Sequence, residues 1–255
     1  MTRRHRRLLA LPVALLAGFC LWQAARPAWA QSLVADLSSH LIAITTGFTG
    51  TDVVLFGAVD GDGDVAVVVQ GPEGEVTVRR KDRVAGIWMN VEDVAFARVP
   101  AYYTVAVTAP LDGVVPPTVL QRHEIGLDYV RLLPEKVKLP PDKLAEFRAA
   151  LIRNKQRAGL YTTEVGEVSF LGQRLFRTRI VFPANVATGT YTASVFLIRD
   201  GDVVSAQTTP LLVSKIGFSA NVFEFAQRNS VFYAILGIML AVTSGWLAGI
   251  VFRKS

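Results

Sequence analysis

The chain has 255 residues, with 27 Lys and Arg against 21 Asp and Glu, and half of its residues (51%) are apolar. Its single cysteine is Cys20 and it holds three histidines, which excludes a disulfide framework or a cysteine-ligated metal and leaves little for chemistry that relies on imidazole. The formal charge of +6 is unevenly distributed, and its meaning changes once the two ends are set aside.

Residues 1–30 read as a signal peptide. Arg3, Arg4, Arg6 and Arg7 form a basic start, Leu8 to Trp22 an apolar core, and Ala28-Trp29-Ala30 a small-residue cleavage site. Fifteen residues interrupted by Pro12 are short against the ~20 needed to cross a bilayer, so cleavage after Ala30 is the expectation. The bulky Phe19 before Cys20 argues against a lipid anchor. Five arginines leave with this leader, Arg253 and Lys254 end the chain, and Arg228 sits at the membrane. Residues 31–227 then hold 19 basic against 21 acidic side chains, a balance of −2. The exported region does not bind polyanions by charge, and nucleic acid is not an expected partner.

Residues 31–115 contain short runs rich in Val, Ile, Thr and aromatics: LIAIT (41–45), DVVLFGAV (52–59), DVAVVVQ (64–70), EVTVRR (75–80) and YYTVAV (102–107). This spacing predicts a mainly β, immunoglobulin-like sandwich region. Asp60-Gly61-Asp62-Gly63 reads as a hairpin turn between two of the runs. The competing reading is a calcium loop with Asp60, Asp62 and Asp64 as ligands, but its sixth position is Val65 and its twelfth Gly71, where Gly and Glu are needed. Arg79, Arg80, Lys81 and Arg83 mark a solvated strand end, or a docking patch for an acidic partner or anionic headgroups. Trp88 is expected to anchor the core.

Residues 116–160 form a helical insert bounded by Pro116-Pro117 and Pro140-Pro141. In DKLAEFRAALIRNKQRAG, Leu144, Phe147, Leu151 and Ile152 share one helical face, and Gly159 is a natural stop. Lys143, Arg148, Arg153, Lys155 and Arg157 make the other face basic. His123-Glu124 begins like a zincin motif, but Leu127 replaces the second histidine. Ser38-Ser39-His40 fails as a nucleophile and base, because strand neighbours point to opposite faces. A second β segment fills 161–227, with Arg199-Asp200-Gly201-Asp202 as a hairpin turn. Whether the two β segments share one fold is open at this level.

From Val231 to Phe252 the chain runs 22 residues without a charge, about 33 Å as a helix, and Arg253-Lys254-Ser255 follows. The 230–252 segment is therefore a transmembrane helix and 253–255 a cytoplasmic tail, which predicts a single-pass inner-membrane protein whose bulk is periplasmic. Gly237, Ala241, Gly245 and Gly249 repeat every four residues and offer a helix-packing face.

The stretches LVADLSSHLIAITTGFTG, VRRKDRVAGIWMN, FPANVATGTYTASVFLIRDG, SAQTTPL and WLAGIVFRKS together resemble a family of uncharacterised single-pass transmembrane proteins from alphaproteobacteria. The resemblance spans nearly the whole mature chain. It implies a membrane protein with no assigned catalytic residues, encoded near permeases resembling sulfite exporters. The expected function is a non-enzymatic, membrane-anchored periplasmic accessory protein, without a cofactor, partnering such a permease or a second copy of itself through the transmembrane helix. The rival readings are a periplasmic ligand-binding or sensory module, and an enzyme built on the Asp60, Asp62 and Asp64 carboxylates.

Overall fold

The computed structural model describes residues 32–252 except 112, 136–138 and 218–225; the predicted leader, its cleavage site, Cys20 and the tail 253–255 lie outside the described residues. In chain order the first strands are β1 (Leu33–Leu37), β2 (Leu41–Ile44), β3 (Gly50–Val59), β4 (Asp64–Gln70), β5 (Glu73–Val84), β6 (Ile87–Pro100) and β7 (Tyr103–Val107). A helical stretch follows, with α1 (Pro117–His123), the two-residue β8 (Leu133–Pro134) and α2 (Pro141–Arg157). Then come β9 (Gly166–Glu167), β10 (Ser169–Leu171), β11 (Leu175–Pro183), β12 (Gly189–Arg199), β13 (Asp202–Lys215) and the apolar helix α3 (Ser230–Phe252).

The fold is mainly β, with one C-terminal apolar helix, as expected. A four-stranded sheet has the order β1-β3-β11-β10, and a six-stranded sheet the order β2-β13-β12-β4-β7-β9. Both draw strands from before and after the helical stretch, so the two β segments are hydrogen-bonded into common sheets.

Side-chain alternation explains the smaller sheet. Leu33, Ala35 and Leu37 of β1 are buried while Val34 and Asp36 are exposed, and in β11 the buried Phe176, Thr178, Ile180 and Phe182 alternate with exposed residues. One face is dry and the other wet. Gly57 is required beneath Phe176: a Cβ there would lie 2.5 Å from the ring and 2.4 Å from the Val34 carbonyl oxygen.

Strand β4 breaks the alternation, since every residue from Val65 to Val69 is at most 2% exposed. Val65, Val67 and Val69 enter the cluster shared with the four-stranded sheet, together with Leu55, Phe182, Tyr191 and Leu197. Ala66 and Val68 enter a second cluster on the opposite face, roofed by Val78, Phe96 and Val99 of β5 and β6, Leu120 of α1, and Phe147 and Leu151 of α2. A continuous apolar run is the sequence a strand needs when both its faces are covered. The six-stranded sheet is thus the middle of three layers.

Two turns contrast. Arg199 to Asp202 closes the β12–β13 hairpin as predicted, with Asp200 at φ 51° and Gly201 at φ 77°. Asp60 to Gly63 does not close a hairpin. β3 pairs with β1 and β11, whereas β4 pairs with β12 and β7, so the turn carries the chain from one sheet to the other. The same two glycines serve either connection, and local turn chemistry does not specify which strand comes next to which.

Four buried tyrosines bear on pH dependence. Burial raises the phenols of Tyr102, Tyr103 and Tyr161 well above their ordinary value, and that of Tyr191 to about 12. A pKa raised by folding contributes stability that is complete below the unfolded value near 10 and is lost as pH rises toward the folded value. The domain is therefore expected to lose stability steeply above pH 10. Denaturation midpoints measured from pH 8 to pH 11.5 check this, and a flat profile would contradict the burial.

Candidate functional site

The β5–β6 ribbon begins in the roof and leaves it. Val78, Val94 and Phe96 are buried, but all ten residues from Lys81 to Asn90 are exposed. Val84 pairs with Ile87 around a two-residue loop in which Ala85 (φ 50°) and Gly86 (φ 87°) both adopt positive φ. Arg83 donates from its backbone N–H to Asp82 Oδ1 at 2.7 Å and from Nε to the Gly86 carbonyl at 3.1 Å, which clips the turn. The ribbon end carries Ile87 at 71% and Trp88 at 68% exposure, with Val84 and Met89 also exposed. Trp88 is not the expected core anchor: it stands opposite Arg83 near the tip, beyond the point where the ribbon has anything to pack on.

The predicted patch is divided by strand alternation. Arg80 lies opposite Glu92, with Nη2 3.4 Å from Oε2, and Lys143 of α2 donates to Glu92 Oε1 at 2.7 Å. That hydrogen bond, with the nearby Arg80 charge, holds the Glu92 carboxyl below the usual carboxylate range. Arg80 is therefore held across the ribbon by Glu92, which Lys143 ties to α2. Arg79, Lys81 and Arg83 fall on the other face with Trp88, and none of them has an ion-pair partner among the described residues. The basic face of α2 is partly consumed as well, since Arg148 donates to the carbonyls of Asp128 and Val130, both at 2.8 Å.

A cleft of about 470 Å³ opens between the β7 end of the six-stranded sheet and the segment after α1. Val105, Val107, Leu120, Ile125 and Leu127 form apolar walls, and Asp128, Glu164 and Glu167 stand at its rim, with no Lys or Arg in the lining. Tyr103 positions one wall: its hydroxyl donates to the Glu124 carbonyl at 2.6 Å and accepts from Gly126 N–H at 2.8 Å, holding Glu124 in the left-handed region. Replacing Tyr103 by Phe leaves both backbone groups unpaired and is expected to cost roughly 1–3 kcal/mol. Denaturation measures that loss. Hydrogen exchange at Gly126 should rise more than at β12, and equal protection would show that the hydroxyl does not hold this wall.

The other candidates disperse. Asp64 accepts from the Thr108 hydroxyl at 2.9 Å, Asp60 lies 3.6 Å from Arg174, and the Arg199 guanidinium donates to the carbonyls of Asp60 and Asp62. A cationic side chain thus occupies the concave side of that turn, and no group of three His, Cys, Asp or Glu able to hold a metal occurs among the described residues. His123 packs against the Phe196 ring at 5.0 Å between centroids, and His40 meets Asp36 at 2.9 Å on the surface. The Ser38 hydroxyl accepts from Val54 N–H and the Ser39 hydroxyl donates to the Leu41 carbonyl.

Helix α3 spans about 35 Å and its described side chains are exposed. Residues Ser230–Gly249 are long and apolar enough to cross a membrane. Thr243, its one threonine, returns its hydroxyl to the Met239 carbonyl at 2.8 Å, so the helix presents no unpaired hydroxyl there to lipid. Nothing lies within 4 Å of the space a side chain would take at Gly237, Gly245 or Gly249. Residues 32–254 match the family described as "Putative transmembrane protein (Alph_Pro_TM)". The chain belongs to this family. Comparison with curated proteins and with solved structures found no match.

For this member of the transmembrane family, the tip Val84–Met89 and the cleft are the features that sequence reasoning missed. The tip had a signal. Val76 and Val78 face the core, and the next two positions of the same face, Arg80 and Asp82, are charged, so burial had to end there. The cleft had none, because its walls come from three separated segments.

Proposed function

We propose that this protein is a non-enzymatic accessory subunit that works by contact within the membrane: a periplasmic β domain held by α3, whose small-residue face, Gly237, Ala241, Gly245 and Gly249, packs against a helix of an integral-membrane partner. The observation that carries this reading is that Ser230–Gly249 is long and apolar enough to cross a membrane while its small residues recur every four positions along one face. Small residues let helix backbones approach closely and gain van der Waals contact where lipid offers no hydrophobic drive. Arg253 and Lys254 just beyond the helix favour a cytoplasmic C-terminus and hence a periplasmic domain. A permease is the partner class implied by the family resemblance, and a second copy of the chain is the alternative. The cleft offers no site to an anion such as sulfite, because its charged groups are carboxylates. Affinity capture of the full chain from crosslinked native membranes tests the reading. Recovery of a polytopic protein or a second copy in near-equal amount supports it, and recovery of the chain alone overturns it.

A further inference from the structure

We infer that the β5–β6 ribbon is a second membrane contact, whose tip inserts among the anionic headgroups of the same bilayer that α3 spans. Two-stranded ribbons standing free of a core are marginally stable, so an extension of this length with a tip of large apolar side chains calls for an occupant. The tip combines the two chemistries of a bilayer surface. Ile87, Trp88, Val84 and Met89 supply apolar volume, and tryptophan is the side chain that best fits the boundary between headgroup and hydrocarbon. Behind them, residues 79–90 carry four basic side chains against the one acidic Asp82, and with Arg80 paired to Glu92 the three on the Trp88 face, Arg79, Lys81 and Arg83, are those left to meet a surface. That is a balance of +3 on a region, 31–227, whose total is −2, so this end of the ribbon stands out against an otherwise acidic remainder and is drawn to an anionic surface, with the basic face of α2 of the same sign at its base.

Geometry agrees with charge. The bulge between Arg80 and Lys81, where Val91 is the unopposed residue, increases local twist just where the ribbon leaves α2, and the hydrogen bond from Arg83 to Gly86 stiffens the turn. The ribbon base is fixed by Glu92 to Lys143 and Arg80, so the tip is presented by a rigid mount. The membrane is also always near. Lys215 and Ser230, the ends of β13 and α3, are separated by fourteen residues, which reach at most about 50 Å. Binding of the tip is therefore intramolecular, and a contact too weak to recruit a free protein is strong enough to orient a tethered one.

The test uses the full chain with Trp22, Trp29 and Trp246 replaced by Phe, leaving Trp88 as the fluorophore, in nanodiscs of phosphatidylcholine alone or with one third phosphatidylglycerol. Part of the phosphatidylcholine in each is brominated to quench tryptophan. Trp88 emission should shift blue and be quenched in the anionic discs, with the effect falling as salt rises. Changing Arg79, Lys81 and Arg83 together to Gln should weaken insertion roughly a hundredfold. Ile87→Ser should weaken it with the charges intact. Because these side chains are exposed, thermal melting of each variant should match the parent, and this separates lost contact from lost folding. Unquenched, red emission in both discs, or equal quenching in neutral and anionic discs, overturns the inference. A blue shift that appears only when membrane proteins are added would assign the tip to a protein partner instead, and also overturns it. Capture of a helical partner through α3 is a separate outcome, unaffected by either result.

Discussion

Replacing Gly245 and Gly249 together by Leu should reduce recovery of the captured membrane partner about tenfold or more, with the chain still inserted. The two glycines sit four residues apart on α3, nearly above one another, and nothing lies within 4 Å of either Cβ position. Leucine at both would hold a neighbouring backbone away and remove the van der Waals contact that small residues allow, and a tenfold loss corresponds to about 1.4 kcal/mol. Insertion is spared because leucine is among the most favourable residues at a helix centre. Leu240 and Leu247 supply the control: helical periodicity puts them on the opposite side from Gly245 and Gly249, so Leu240→Ile and Leu247→Phe should leave recovery within a factor of two, roughly 0.4 kcal/mol. Equal recovery from the glycine variant, the controls and the wild type would make α3 a passive anchor.

This expectation and the ribbon inference act at different places and together describe a domain held in orientation. One contact is inside the bilayer and the other on its surface. A partner bound through α3 alone holds the chain at one place, inside the bilayer. A seated ribbon adds a second. It would also fix which way the acidic rim of the cleft, at Asp128, Glu164 and Glu167, faces relative to the membrane.

How much was legible in the sequence follows from the range of the forces involved. Elements set by local periodicity were readable: α2 with Phe147 and Leu151 inward, the turn at Asp200-Gly201, the alternation of β11, and the long apolar α3. What depended on partners distant in the chain was not. Asp60 to Gly63 has the composition of a hairpin turn, but β3 is claimed by β11, more than a hundred residues later, and β4 by β12. An aromatic side chain in a β region usually finds a core, whereas at Trp88 the β5–β6 pairing continues past the end of the layer beneath it. The four cations looked like one patch in sequence, and pairing with Glu92 withdrew Arg80 from it.

The three-layer architecture makes a prediction that a two-layer protein would fail. Val67 and Val68 are chain neighbours in β4, one facing the cluster shared with the four-stranded sheet and the other facing the roof of α1, α2 and the ribbon base. Each is at most 2% exposed, so Val67→Ala and Val68→Ala should each cost about 2 kcal/mol, from two lost methyl groups and the cavity they leave. The two sites lie in different clusters but on adjacent Cα atoms of one strand, so the double variant should lose up to roughly 4 kcal/mol, and its departure from the sum measures how far the two faces couple through the β4 backbone. Against a domain stability of about 5–15 kcal/mol that is a large fraction, readable as a shift in urea midpoint by circular dichroism. Val181 of β11, 62% exposed, is the comparison residue, and its change to Ala should stay within about 0.5 kcal/mol. If Val68→Ala behaved like Val181→Ala, the roof would not rest on the six-stranded sheet, and the rigid mount of the ribbon would go with it. A double variant costing much less than the sum would show that the two faces relax together through the β4 backbone they share.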